Sequence, residues 1–147
     1  MKQFDNILFA TDFSNASAPA ADYAITLAKL TGAHLHVLHV INELDEPQRV
    51  MIPREAFLIL EKEIELQAVR ELDRFCKGPA AGVSTTTHAV VGSAFQKILE
   101  TGADVNADLI VMGTHGRTGM EQVIVGSTAE RVVRRSKIPV LTVRGQD

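Results

Sequence analysis

Five short runs typical of β-strands, separated by segments with helical spacing, constrain the fold of this chain more than any other feature. The runs occupy residues 7–10, 33–41, 83–91, 109–112 and 138–143. Apolar residues recur every three or four positions in the segments between them, at residues 16–30, 54–77, 92–99 and 127–133. Such alternation is typical of a parallel sheet with helices on both faces and right-handed crossovers. The sequence therefore predicts a doubly wound α/β fold with five parallel strands and four helices.

The chain has 147 residues without a repeat or linker, which predicts a single domain spanning residues 1–147. Two strands are expected at the sheet edges. Residues 83–91 carry several polar side chains, which fits a strand near a sheet edge, and Pro139 in the last run cannot donate a ladder hydrogen bond. An edge strand at residues 138–143 would leave its backbone open to a partner.

The helical segments also predict which side chains are buried. Helix 16–30 should end at Thr31 and Gly32, because glycine commonly terminates helices. Its predicted buried stripe is Ala20, Ala24, Leu27 and Ala28. The stripe predicted for the long helix is Phe57, Leu60, Ile64, Ala68, Leu72 and Phe75.

Composition argues against several classes of protein. Lys and Arg total 15 against 18 Asp and Glu, and aromatic residues make up 5%, which disfavours nucleic-acid binding. The apolar runs are too short to cross a membrane, and Asp5 precedes any apolar core of a signal peptide, so we expect no export signal. A single cysteine, Cys76, excludes an internal disulfide and suits a reducing compartment. We therefore expect a cytoplasmic protein that binds neither nucleic acid nor membranes.

Ligands of open α/β sheets bind beyond the carboxyl ends of the strands. Three segments stand at such ends: Thr11 with Asp12, residues 40–42, and the glycine-rich residues 113–119. Glycine lets backbone N–H groups approach a phosphate, and a helix N-terminus near residues 126–128 would add a positive dipole end. The spacing fits neither the P-loop nor the dinucleotide fingerprint. Taken singly, these glycines could equally serve only to turn a long loop.

The spacing of these glycines resembles a known motif. Gly113 and Gly116, followed nine residues later by Gly126 and Ser127, are similar to the Gly-x2-Gly-x9-Gly-Ser/Thr motif of ATP-binding universal stress proteins. The resemblance extends along the chain, through the Ile-Leu-x-Ala-Thr-Asp-Phe-Ser opening, the histidine- and valine-rich second strand and the closing Ile-Pro-Val-Leu-Thr-Val. It implies a Rossmann-like fold of the adenine nucleotide alpha hydrolase type, with strand order 3-2-1-4-5.

The resemblance also implies a ligand, ATP with Mg²⁺, and the residues that bind it. These are Thr11, Asp12, Val40, Met112, Gly113, His115, Gly116, Arg117, Gly126, Ser127, Thr128 and Ala129. Asp12 and Val40 would contact the adenosine part, Met112 would lie near the sugar or base, and the glycine loop would hold the phosphates. Family members also pair the last strand across a twofold axis, which implies a homodimer through residues 138–143.

Several of these residues have alternative interpretations. Asp12 could instead cap the first helix. Arg117 could pair with phosphate oxygens or remain in solvent. His115 lies in the glycine loop, but no neighbouring acid orients it and no nucleophile is evident, so no catalytic residue is predicted.

The histidines of the second strand are not expected to form a metal site. His34 and His36 point to one side of the strand and His39 to the other. They cannot form a compact metal cluster without help from elsewhere, so a structural role is favoured and no metal site is predicted.

The residues bear on four possible functions. The first is an ATP-binding stress-response module with at most slow hydrolysis, and its main rival is a homodimeric interaction protein with a vestigial pocket. An adenylyl-transferring enzyme would need a His-Ile-Gly-His-type loop, which is absent from the sequence. A phosphoacceptor receiver domain would need an aspartate after the third strand, where residues 90–93 read Val-Val-Gly-Ser.

Overall fold

Strand and helix alternate along residues 1–43, 50–115 and 125–145, which are the residues that the computed structural model describes. The elements are β1 (Asn6–Ala10), α1 (Ala18–Thr31), β2 (His34–Ile41), α2 (Arg54–Lys77), β3 (Thr85–Val91), α3 (Ala94–Asp104), β4 (Leu109–Gly113), α4 (Ser127–Arg135) and β5 (Val140–Val143). The strands form one parallel sheet in the order β3-β2-β1-β4-β5. The predicted fold, the strand order and both predicted edge strands are confirmed.

The sheet has a separate apolar core on each face. Ile7 and Phe9 of β1 pack on the face covered by α1 and α2, whereas Leu8 and Ala10 pack on the face covered by α3 and α4. Both faces of β1 are therefore buried, which explains why its sequence is apolar without alternation. The central position of β1 places the residues that follow it in the middle of the carboxyl edge of the sheet.

The predicted element ends are mostly close to those observed. Gly32 adopts a left-handed conformation, with φ of 74°, and its N–H donates to Ala28 O, so α1 ends where glycine predicts. The last strand is shorter than predicted and begins at Val140, not at residue 138. There the Ser136 hydroxyl bonds both the N–H and the C=O of Ile138, which forms a local turn before the strand.

The predicted buried stripe of α2 is correct only in its second half. Ala68, Leu72 and Phe75 are buried, but Leu60 is 39% exposed. A helix of 24 residues is about 36 Å long at ~1.5 Å per residue, longer than the strands beside it. Its first half therefore extends past the sheet core, a feature that periodicity alone does not reveal.

Among the described residues, we find no helix with the length and apolar character needed to cross a membrane.

Three histidines lie together on the sheet face that α3 and α4 partly cover. His36 of β2 places its Nδ1 3.0 Å from Nε2 of His88 on β3. The His34 ring meets the His36 ring edge-on, with centroids 4.8 Å apart. Burial lowers the pKa of His36 to about 4, with further lowering by the charges of His34 and His88. Burial and the charge of His34 also lower the pKa of His88.

These lowered pKa values predict that the folded protein loses stability on acidification. The unfolded chain binds protons at the ordinary histidine pKa of 6.5, whereas folded His36 binds one only near pH 4. The free energy of unfolding should therefore fall as the pH drops through this window and level off below it. Urea denaturation at about pH 7 and about pH 5 measures the change, and the His36→Gln variant should show a smaller one. Equal losses in both proteins would contradict this prediction.

Candidate functional site

The segment after β1 is held in a tight, hydrogen-bonded turn at the carboxyl edge of the sheet. The Thr11 N–H donates to Leu38 O of β2 at 2.9 Å, which continues the ladder one residue beyond β1. The Ser17 hydroxyl donates to Ser14 O, so the Thr11 hydroxyl donates to Ser17 Oγ at 3.1 Å. The Phe13 N–H in turn donates to Thr11 Oγ1. Thr11 is therefore buried as the anchor of this turn.

Asp12 stands at the apex of the same turn. Its Oδ1 accepts a hydrogen bond from the Ser14 N–H at 2.9 Å. Between these two residues Phe13 adopts a φ of 60°, which is uncommon for a residue with a side chain. The alternative that Asp12 caps the first helix is wrong, because the N-cap residue of α1 is Ser17 and the Asp12 carboxylate bonds the turn that precedes it.

His39 supports this turn from β2. Its Nδ1 donates to Thr11 O at 3.0 Å, and its ring lies 5.3 Å from that of Phe13. His39 is 9% exposed. This contact agrees with a structural role for His39 and fixes the backbone from which Asp12 projects.

Thr114, the residue after β4, makes backbone hydrogen bonds to β5 and to the start of α4. Thr114 N–H donates to Val143 O of β5 at 3.0 Å, and Gly126 N–H donates to Thr114 O at 2.6 Å. A Cβ at Gly126 would stand 2.9 Å from Thr114 O, closer than side-chain carbons approach backbone oxygens. Glycine is therefore required at residue 126 by close packing.

The N-terminus of α4 opens at the same edge of the sheet. Gly126 is its N-cap residue and supplies no side-chain cap. The N–H groups of Ser127, Thr128 and Ala129 lie in the first turn, where an α-helix has no carbonyl partner for them. The positive end of the helix dipole adds to their attraction for an anion.

Apolar residues of the predicted site lie on the face beneath this helix. Met112 and Ala129 are buried members of the core under α3 and α4, and Val40 packs against that core. The structure thus brings them together on one side of the sheet near its carboxyl edge.

The remaining predicted site residues fall in or beside the glycine segment. Gly113 ends β4, and a Cβ there would make only ordinary contacts of 3.4 Å and more. His115 Nδ1 lies 3.0 Å from Thr114 Oγ1. Gly116 and Arg117 lie outside the described residues, so their predicted roles stay predictions.

Three residues that position the site were not predicted as part of it. Ser17 and His39 hold the turn after β1, and Thr114 joins β4 to the start of α4. His39 and Thr114 contact backbone that is distant in sequence, and Ser17 bonds within its own turn, so the only available signal was a polar residue near a strand end. Such a residue is ordinarily a turn former.

The chain is similar to a known protein family over nearly its full length. The model of the "Universal stress protein family" matches residues 3–144. The universal stress protein MJ0531 of Methanocaldococcus jannaschii is 35% identical over 143 residues, covering 96% of this chain and 82% of that protein. The solved structure of MJ0577, from the same organism, is similar with a TM-score of 0.86 and 28% identity, and covers 99% of both chains.

A further solved structure carries a ligand. It is a universal stress protein in complex with cAMP, similar to this chain with a TM-score of 0.68 and 26% identity. The similarity covers 99% of this chain and 100% of that one.

Proposed function

This chain belongs to the universal stress protein family, and we propose that it is a cytoplasmic, ATP-binding regulatory module of the stress response. ATP would bind at the carboxyl edge of the sheet, with its phosphates at the start of α4 and its adenosine between the ends of β1, β2 and β4. Nucleotide occupancy would then select the conformation or partner of the protein.

This proposal rests mainly on the contact between the end of β4 and the start of α4. The 2.6 Å hydrogen bond from Gly126 N–H to Thr114 O sets the helix N-terminus against the strand end. The N–H groups of the first turn, which no carbonyl within the helix can accept from, and the hydroxyls of Ser127 and Thr128 can donate to phosphate oxygens. Gly126 and Ser127 close the Gly-x2-Gly-x9-Gly-Ser spacing that the sequence contains.

The turn after β1 presents a carboxylate that could bind the ribose of ATP or its Mg²⁺ ion. The Asp12 carboxylate is held by Ser14 N–H at the apex of a turn, and carboxylate oxygens accept from ribose hydroxyls or ligate hard cations such as Mg²⁺. Val40 and Met112 would supply apolar contact to the base or sugar. The choice of an adenine nucleotide draws support from the similar universal stress protein solved with cAMP.

Calorimetric titration of nucleotide-free protein with ATP and Mg²⁺ tests the proposal, with GTP and Mg²⁺ as the matched control. We expect one ATP per chain and much weaker binding of GTP. Absence of ATP binding at micromolar protein concentrations would overturn the proposal. It would favour the rival function, a homodimeric interaction protein with a vestigial pocket.

Turnover of bound ATP is expected to be slow. The sequence offers no evident pair of residues that would activate water, and the group 3.0 Å from His115 Nδ1 is the Thr114 hydroxyl, not a carboxylate. The module would therefore hold ATP as a signal instead of consuming it, and a weak ATPase activity is the most we expect.

We propose further that the protein forms a homodimer through β5. The carbonyls of Pro139 and Val143 accept hydrogen bonds from Ile110 of β4 and from Thr114, the residue after β4. Backbone groups of alternate residues point to opposite sides of a strand, so those of Val140 and Thr142 face away from the sheet. A second copy of this strand could take up these groups across a twofold axis.

A proline at residue 142 tests the dimer. Thr142→Pro removes an outward N–H without removing a bond to β4, so we expect it to convert a dimer into a monomer. Light scattering after size exclusion measures the mass. Thr142→Val keeps both the N–H and the β-branched shape, and it should remain dimeric. A monomeric wild type, or a dimeric proline variant, would refute this interface.

A further inference from the structure

Outside the proposed nucleotide site, two histidine side chains form a hydrogen bond between β2 and β3. His36 Nδ1 and His88 Nε2 are 3.0 Å apart on the sheet face, and both side chains are partly exposed to solvent. They lie toward the amino end of β2 and in the middle of β3, away from the carboxyl edge that holds Asp12 and Gly126.

Their hydrogen bonds fix which nitrogen carries the proton. His36 Nε2 lies 3.2 Å from Asn6 Oδ1, and an amide oxygen only accepts, so His36 Nε2 is protonated. His36 Nδ1 therefore carries a lone pair that points at His88. A metal-ligating histidine commonly donates its other N–H to such a carbonyl oxygen, which fixes the ring orientation and makes the ligating nitrogen more basic.

We propose that His36 Nδ1 and His88 Nε2 together bind a divalent transition-metal ion with tetragonal coordination, Cu²⁺ or Ni²⁺. The ion would replace the hydrogen bond between the two rings. Both imidazoles stay neutral in this exchange, because the His88 proton moves from Nε2 to Nδ1 and none is released. Sequence spacing did not predict this pair, because the second ligand, His88, comes from β3 and not from β2.

The distance between the two histidine nitrogens favours one coordination geometry of the metal ion. With metal–nitrogen bonds of ~2.0–2.1 Å, nitrogens 3.0 Å apart would subtend roughly a right angle at the ion, once both rings turn from the line of the hydrogen bond so that their lone pairs converge on the ion. Tetrahedral coordination would need a separation of about 3.3–3.4 Å. Right angles between nitrogen ligands are typical of Cu²⁺ and Ni²⁺ sites, and Cu²⁺ binds most tightly among the divalent first-row ions.

The protein would supply only these two ligands. No group of three or more histidine, cysteine, aspartate or glutamate side chains among the described residues is arranged to hold a metal ion. His34 is held aside, because its ring nitrogens lie 2.7 Å from the hydroxyls of Ser84 and Thr86. Water would complete the coordination, as the partial exposure of the pair allows.

Titration of the tag-free, nucleotide-free protein with Cu²⁺ tests the proposal by calorimetry and electron paramagnetic resonance. We expect one Cu²⁺ per chain and a tetragonal spectrum with coupling to two imidazole nitrogens. His36→Gln and His88→Gln should each abolish this spectrum, whereas His34→Gln and His115→Gln should keep it. Asn6→Ala should weaken Cu²⁺ binding by about 10–100-fold, because it removes the acceptor that orients His36.

Thermal unfolding of each variant shows whether it folds. Unchanged Cu²⁺ binding in folded His36→Gln or His88→Gln would overturn the site, as would loss of the signal only in His34→Gln or His115→Gln. A wild-type spectrum with one or no histidine nitrogen would also overturn it.

Discussion

Replacing Gly126 with alanine is expected to weaken ATP binding by at least about tenfold while the sheet still folds. The added Cβ would stand 2.9 Å from Thr114 O, and because that oxygen belongs to the backbone, one of the two segments must move. Movement of the α4 N-terminus would misplace the N–H groups proposed to hold the phosphates. Loss of a single charged hydrogen bond costs about 1.5–3 kcal/mol, and ~1.4 kcal/mol is tenfold in affinity.

Calorimetric titration with ATP and Mg²⁺ measures this effect, and Gly102→Ala provides the matched control. A Cβ at Gly102 would meet the Ile138 Cδ1 methyl at 3.1 Å, the end of a flexible side chain in another part of the molecule. The control should bind ATP as the wild type does. Undiminished ATP affinity in a folded Gly126→Ala variant would mean that the start of α4 does not hold the phosphates.

Replacing Phe9 with alanine is expected to lower the free energy of unfolding by about 3–5 kcal/mol. Phe9 is 1% exposed in the middle of the central strand, and its ring centroid lies 5.5 Å from that of Phe75 on α2. Its removal leaves a cavity between the sheet and α2. Single domains are stable by about 5–15 kcal/mol, so this one change would remove a large share of the total.

Chemical denaturation measures this loss, and Leu30→Ala is the matched control. Leu30 is 78% exposed at the end of α1, so truncating it should change the free energy of unfolding by less than about 0.5 kcal/mol. Similar losses in the two variants would show that the core beneath β1 does not dominate stability.

Much of the fold could be predicted because its determinants are local. The unbroken apolar run of β1 implied a strand buried on both faces, and Pro139 implied an edge. The site was harder to predict. The motif pointed to Gly126 and the resemblance to Asp12. The close contact between Gly126 and Thr114 could not be predicted, because the number of residues between two positions does not give the distance between them in the fold.

The sequence by itself determined the order and type of the elements, because hydrophobic periodicity and glycine or proline at the ends act within a few residues. Only the tertiary structure decided which distant groups meet. It set α4 against β4 through Gly126, supported the Asp12 turn with His39, and brought His88 beside His36. These contacts depend on the register of neighbouring strands, which arises when the whole sheet packs and leaves no pattern in any one segment.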